Sequence, residues 1–119
     1  MPQKPNEPAT FKIFDNDIDN ETQIALNSSS ALAVDTEAMG LIHGRDRLCL
    51  IQICDELDNV ICIRIERNQH LAPNLKSILE NKKIEKVFHF ARFDVAALRT
   101  NLDIEVNPIF CTKIASKIG

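Results

Sequence analysis

The sequence predicts an α/β fold built on a mixed sheet, three antiparallel strands first and then parallel strands joined by crossover helices. Three observations predict it. Apolar, β-branched runs crowd between residues 11 and 65, separated by short polar turns. From residue 71 onward apolar residues recur at helical spacing, with brief strand-like runs between them. The balance of 45% hydrophobic and 26% charged residues is that of an ordinary globular domain, and 119 residues suffice for one domain and not two.

The elements follow in order. Phe11-Lys12-Ile13-Phe14 is a short alternating strand closed by the turn-prone Asp15-Asn16-Asp17. Residues 20–27 read as a short helix, although Ile24 and Leu26 are poorly phased for one. Asn27-Ser28-Ser29-Ser30 is a loop. Ala31-Leu32-Ala33-Val34 is a compact apolar strand ending in Asp35-Thr36-Glu37, and the charged, glycine-bearing stretch 39–47 connects it onward. Residues 48–54 form a strongly apolar strand, 55–59 a hairpin turn and 60–65 a returning strand, so this part reads as an antiparallel meander.

The period then changes. Leu71, Leu75, Ile78 and Leu79 mark a helix with Pro73 tolerated in its first turn. Lys86-Val87-Phe88-His89-Phe90 is a short strand. Ala91, Val95, Leu98 and Leu102 mark a second amphipathic helix, 108–111 is a brief apolar run, and Thr112 caps a third helix. Helix–strand alternation predicts that the later strands lie parallel to the Asp35 strand. A last helix that has barely begun at Gly119 reads as a chain cut short on its C-terminal side, with apolar surface left for self-association.

Charge and cysteine content narrow the function classes. Fourteen Lys and Arg against seventeen Asp and Glu give a net charge of −3, which argues against binding nucleic acid by charge neutralisation alone. Carboxylates that hold divalent cations are the exception, because the ions reverse the local sign. The four cysteines at 49, 54, 62 and 111 show no C-x-x-C spacing and read as buried free thiols in a reducing compartment. The polar, proline-bearing residues 1–10 form a flexible arm without an apolar leader-like core, and no stretch is long enough to span a membrane. The expectation is a cytoplasmic protein.

Asp35 and Glu37 are two apart on one strand, so their side chains leave from the same face. They stand at the C-terminal end of an apolar strand, where open α/β sheets bind ligands. Two carboxylates held side by side repel each other, and a hard divalent cation is their natural partner. The same D-x-E recurs at Asp103 and Glu105, where it reads as a solvated strand edge. Asp94 lies in the first turn of the helix after the 86–90 strand, as an N-terminal dipole-compensating acid or as a third acid converging on the first two.

These segments resemble a known family. Leu32-Ala33-Val34-Asp35-Thr36-Glu37-Ala38-Met39-Gly40-Leu41 resembles the first exonuclease motif of the DEDD superfamily, and residues 45–53 the strand after it in ribonuclease D relatives. His89-Phe90-Ala91-Arg92-Phe93-Asp94 resembles the second motif, and 110–115 the segment that follows, with Cys111 where relatives often carry Asp. The resemblance runs from about Phe11 to Gly119, is nearest to the short single-domain bacterial ribonuclease D-like proteins, and implies a ribonuclease H-like fold.

It also implies hydrolysis of RNA from a single-stranded 3′ end, with acceptance of DNA left open, by two Mg²⁺ or Mn²⁺ ions. Asp35, Glu37 and Asp94 would be the catalytic metal ligands. Thr36, Ala38, Met39, Leu41, His89 and Phe90 would lie against the terminal nucleotide, with His89 also open to a plain strand-end role. Arg45, Arg47 and Arg92 are open between phosphate contacts and solvated charges; Phe93 reads as core, and His43 and His70 are assigned nothing. The family's third motif supplies a fourth acid and a Tyr or His base. This sequence has no Tyr and no Asp after Asp103, so an incomplete exonuclease domain over 11–119, nearly inactive alone, is expected. The alternatives are a non-catalytic remnant that binds RNA or protein, and an unrelated α/β metal-binding protein.

Overall fold

The two-residue period of its strands organises the molecule. A computed structural model describes residues 10–39, 47–66, 69–88 and 91–111, with 38, 39, 47, 91–93 and 111 described by backbone alone. The elements are β1 (Thr10–Asp15), α1 (Asn20–Asn27), β2 (Ala31–Met39), β3 (Arg47–Cys54), β4 (Asn59–Arg64), α2 (Pro73–Leu79), β5 (Glu85–Phe88), α3 (Ala91–Leu102) and β6 (Ile109–Cys111). The helix expected from Thr112 and the arm before Thr10 lie outside the described residues; Thr10 itself already belongs to β1.

The six strands form one sheet in the order β1-β4-β3-β2-β5-β6. β2, β3 and β4 are the expected antiparallel meander. β5 joins β2 in parallel and β6 joins β5 in parallel, as the change of period predicts. β1 had no partner assigned from sequence; it lies parallel to β4 and forms one edge.

Alternation sorts the strand residues onto two unlike faces. On one, Leu32 and Val34 of β2, Ile51 and Ile53 of β3, Ile61 and Ile63 of β4 and Phe88 of β5 are buried against Leu26, Leu75, Ile78, Leu79, Leu98 and Leu102 of the three helices. Burying each such side chain stabilises the fold by roughly 1.5–3 kcal/mol. The poor phasing of α1 is explained here: Thr22 and Leu26 make its inward stripe, while Ile24 is 71% exposed. The other face carries an apolar row across every strand, Phe11, Val60, Cys54, Ala33, Val87 and Phe110, placed side by side by the registers. Phe11 is 57% exposed and Phe110 45%.

One helix start is closed by a local side chain and another by a distant one. Asp19 caps α1 by accepting from the Thr22 amide at 2.8 Å, and the Thr22 side chain and then its amide hold the Asp19 carboxyl below its ordinary range. α2 begins at Pro73 without a local side-chain cap. Asp17 takes over, accepting from the amides of Asn74 at 3.0 Å and Leu75 at 2.8 Å. Glu56, in the β3–β4 turn, accepts from the amide and hydroxyl of Ser30 and so fastens the hairpin to the start of β2.

A lysine sits on the covered face. Lys86 of β5 is fully buried, and its Nζ donates to the carbonyl oxygens of Asn81 and, at 2.8 Å, Asn107. Desolvation lowers its pKa from 10.5 to about 8. A buried amine is tolerated only where it is hydrogen-bonded, and these carbonyls hold together the turn before β5 and the loop before β6.

Candidate metal site on β2

The site begins with the pleat of β2. Leu32, Val34 and Thr36 point toward the helices, while Ala33, Asp35 and Glu37 point to the open face and are exposed. The acids are therefore side by side and reachable, as the D-x-E spacing predicts. Beyond Glu37 the pairing with β3 shifts: Glu37 faces Leu50 but Ala38 faces Leu48. Cys49 is the extra residue of this bulge, and its thiol donates to the Glu37 carbonyl oxygen at 3.3 Å. Bulges re-aim the strand that carries them, and here one sits beside the acids.

α3 reaches the same strand from the covered side. Asp94, in its first turn, is 6% exposed. The Thr36 hydroxyl donates to Asp94 Oδ1 at 2.5 Å, and the Thr36 amide donates to Asp35 Oδ1 at 3.1 Å. At its other end α3 is tied to β3, because Asn101 Oδ1 accepts from the Leu48 amide at 3.3 Å. The helix is thus strapped across the sheet at both ends.

Thr36 links Asp35 to Asp94, but the three acids do not converge into the ligand cluster that the resemblance implies. Among the described residues no group of three or more His, Cys, Asp or Glu side chains is close enough to hold a metal ion. The pleat explains the division, since Asp35 and Glu37 leave β2 on the open face and Thr36 meets Asp94 on the other. In donor type the residues fit a hard divalent cation, offering carboxylate oxygens alone.

Of the expected nucleotide contacts, Thr36 is half-buried with its hydroxyl on Asp94, and Ala38 and Met39 extend β2. Leu41, His89, Phe90 and Arg45 lie outside the described residues, as do the side chains of Arg47, Arg92 and Phe93. The second D-x-E is not a strand edge: Asp103 follows α3 with φ 55, and Glu105 lies in the loop before β6, 3.3 Å from Arg99. Sequence reasoning missed the Thr36–Asp94 bond, although the alternation of β2 already turns Thr36 toward the helices.

A mixed sheet with this meander, two added parallel strands and a D-x-E on its central strand is the architecture of the ribonuclease H-like exonucleases. Brucella melitensis NrnC shares it with TM-score 0.83 and 42% identity, over 92% of this chain and 52% of that one. Escherichia coli RNase D, at 24% identity and TM-score 0.68, shows the same fold over 81% of this chain and 25% of its own.

The chain belongs to the 3′–5′ exonuclease family, whose model matches residues 11–119. Ribonuclease D of Bartonella henselae is 32% identical over 109 residues, covering 91% of this chain and 27% of that protein. The chain therefore spans about half the length of NrnC and about a quarter of that ribonuclease D. Other structures of the Brucella protein are described with bound Mg²⁺ and bound to pGG, both at 42% identity, with TM-scores of 0.83 and 0.82. They cover 92% of this chain and 53% and 52% of those chains.

Proposed function

We propose that this chain carries the metal-binding part of a 3′–5′ exonuclease that hydrolyses single-stranded RNA from its 3′ end. The observation that carries the reading is the pair of exposed carboxylates on one face of β2, Asp35 and Glu37, the first of them linked through Thr36 to the buried Asp94. Membership of the exonuclease family and the Mg²⁺ and pGG found with Brucella NrnC support it.

Asp35, Glu37 and Asp94 are the residues that would hold the divalent ions. Such ions make water a better nucleophile and stabilise the departing 3′ oxygen. The open face of β2 gives RNA access to the pair, and backbone at 38 and 39 lies alongside. These 119 residues contain no Tyr and no Asp after Asp103, so the fourth acid and the base expected of the family are not supplied by them. A general base contributes ~10²–10⁴-fold, and the 119 residues alone should be slow by at least that factor.

The test is a chimera in which this chain replaces the matching half of Brucella NrnC, assayed on 5′-labelled oligoribonucleotide with Mn²⁺. The expected result is a ladder shortening from the 3′ end, absent with Asp35→Asn and nearly absent with the 119 residues alone. A chimera that melts cooperatively yet leaves the RNA intact would overturn the reading.

A further inference from the structure

Among the described residues β1 is one edge of the sheet, paired only with β4 and in parallel. The Asn16 amide fixes the phase of that ladder, donating at 2.7 Å to the carbonyl oxygen of Arg64, the register partner of Asp15. Successive residues of a paired strand direct their backbone groups to opposite sides. Lys12 and Phe14 therefore turn their amides and carbonyls toward β4, while Phe11, Ile13 and Asp15 turn theirs outward past the edge. Phe11 and Ile13 are also exposed on the open face. β1 runs six residues without proline or bulge, so of the devices that commonly blunt an edge it keeps only charged side chains.

We infer that β1 is a self-pairing edge, to which a second copy of this chain adds its own β1 antiparallel about a two-fold axis at Ile13. Chemistry selects that register. A two-fold axis normal to the sheet matches open face to open face only if it passes through a residue, not between two. Two such axes overlap most of β1. The one at Lys12 sets two lysines directly opposite each other, which is destabilising. The one at Ile13 sets Ile13 opposite its own copy, Phe11 opposite the partner's Asp15 and Lys12 opposite the partner's Phe14. Asp15 brings no unmet charge to Phe11, because Arg64 Nε already lies 2.8 Å from its Oδ1. The outward residues then form the pairs that exchange both N–H···O bonds, and the isologous contact closes at two copies. This surface lies away from the β2 carboxylates and does not depend on the exonuclease reading.

Sedimentation of the 119-residue protein over a range of concentrations reads the association, with melting curves reporting the fold. Wild type should pass from monomer to dimer as concentration rises. Ile13→Pro removes an outward N–H and spares the donors that face β4, so it should weaken the dimer at least about tenfold. Ile13→Lys and Ile13→Glu each set like charges opposite on the axis and should each be monomeric. Mixed in equal amounts, the two should associate as a dimer of one chain of each. A wild type that stays monomeric at its highest soluble concentration contradicts the inference. So do Lys and Glu variants that dimerise as tightly as wild type, or a mixture of cooperatively melting variants that associates no better than either alone.

Discussion

The two faces of the sheet are made from the same strands and do opposite things. Toward the helices, Leu32 and Val34 of β2, Ile51 and Ile53 of β3 and Ile61 and Ile63 of β4 are buried in one apolar cluster. Away from them, the same strands show Asp35, Glu37 and Gln52 beside the row from Phe11 to Phe110. The difference teaches that stability and chemistry are separated by a single residue of register. A slip of one position in β2 would bury Asp35 and Glu37 and expose Leu32 and Val34.

The sharpest way to break this comparison is to cut the same residue type on each face. Ile63→Ala, at a fully buried position, should cost about 2–5 kcal/mol in urea denaturation. Ile13→Ala, at a position 56% exposed, should cost under about 1 kcal/mol. Equal losses would mean that the open face is as structural as the covered one.

A smaller effect comes from a buried amine on the covered face. Lys86 has its pKa lowered to about 8 from 10.5, so between those values the unfolded chain binds the proton more readily. Raising the pH from 8 to 10.5 removes a proton that opposes folding, and stability rises; below 8 the full cost of burying the charge is present. Melting curves of wild type and Lys86→Met should therefore shift in favour of wild type across this window. A gap that does not change with pH would show that Lys86 is not desolvated as described.

Much of this was legible in the sequence because alternation and helical spacing are local signals. The meander, the parallel addition of β5 and the placement of Asp94 in the first turn of α3 all follow from spacing. What was not legible depends on contacts between distant segments. Asp17 capping α2 from 57 residues away, the parallel seat of β1 on β4, and buried Lys86 holding two loop carbonyls have no local pattern. The strand 86–90 illustrates the boundary: β5 runs Glu85–Phe88, and its first residue is set by the Glu85 amide donating to the Ser30 carbonyl oxygen. At the site, the spacing of Asp35 and Glu37 sets their shared face, but the link from Asp35 through Thr36 to Asp94 needed the packing of α3 against β2.

The central claim is that the open-face acids bind a divalent cation, and thermal melting with added Mn²⁺ tests it most directly. At a hundredfold excess over the dissociation constant, binding to the folded state alone stabilises it by about 2.7 kcal/mol. The midpoint of the wild type should rise with Mn²⁺ concentration, and that of Asp35→Ala should not. A wild-type midpoint indifferent to Mn²⁺, or an equal rise in both proteins, would contradict the account.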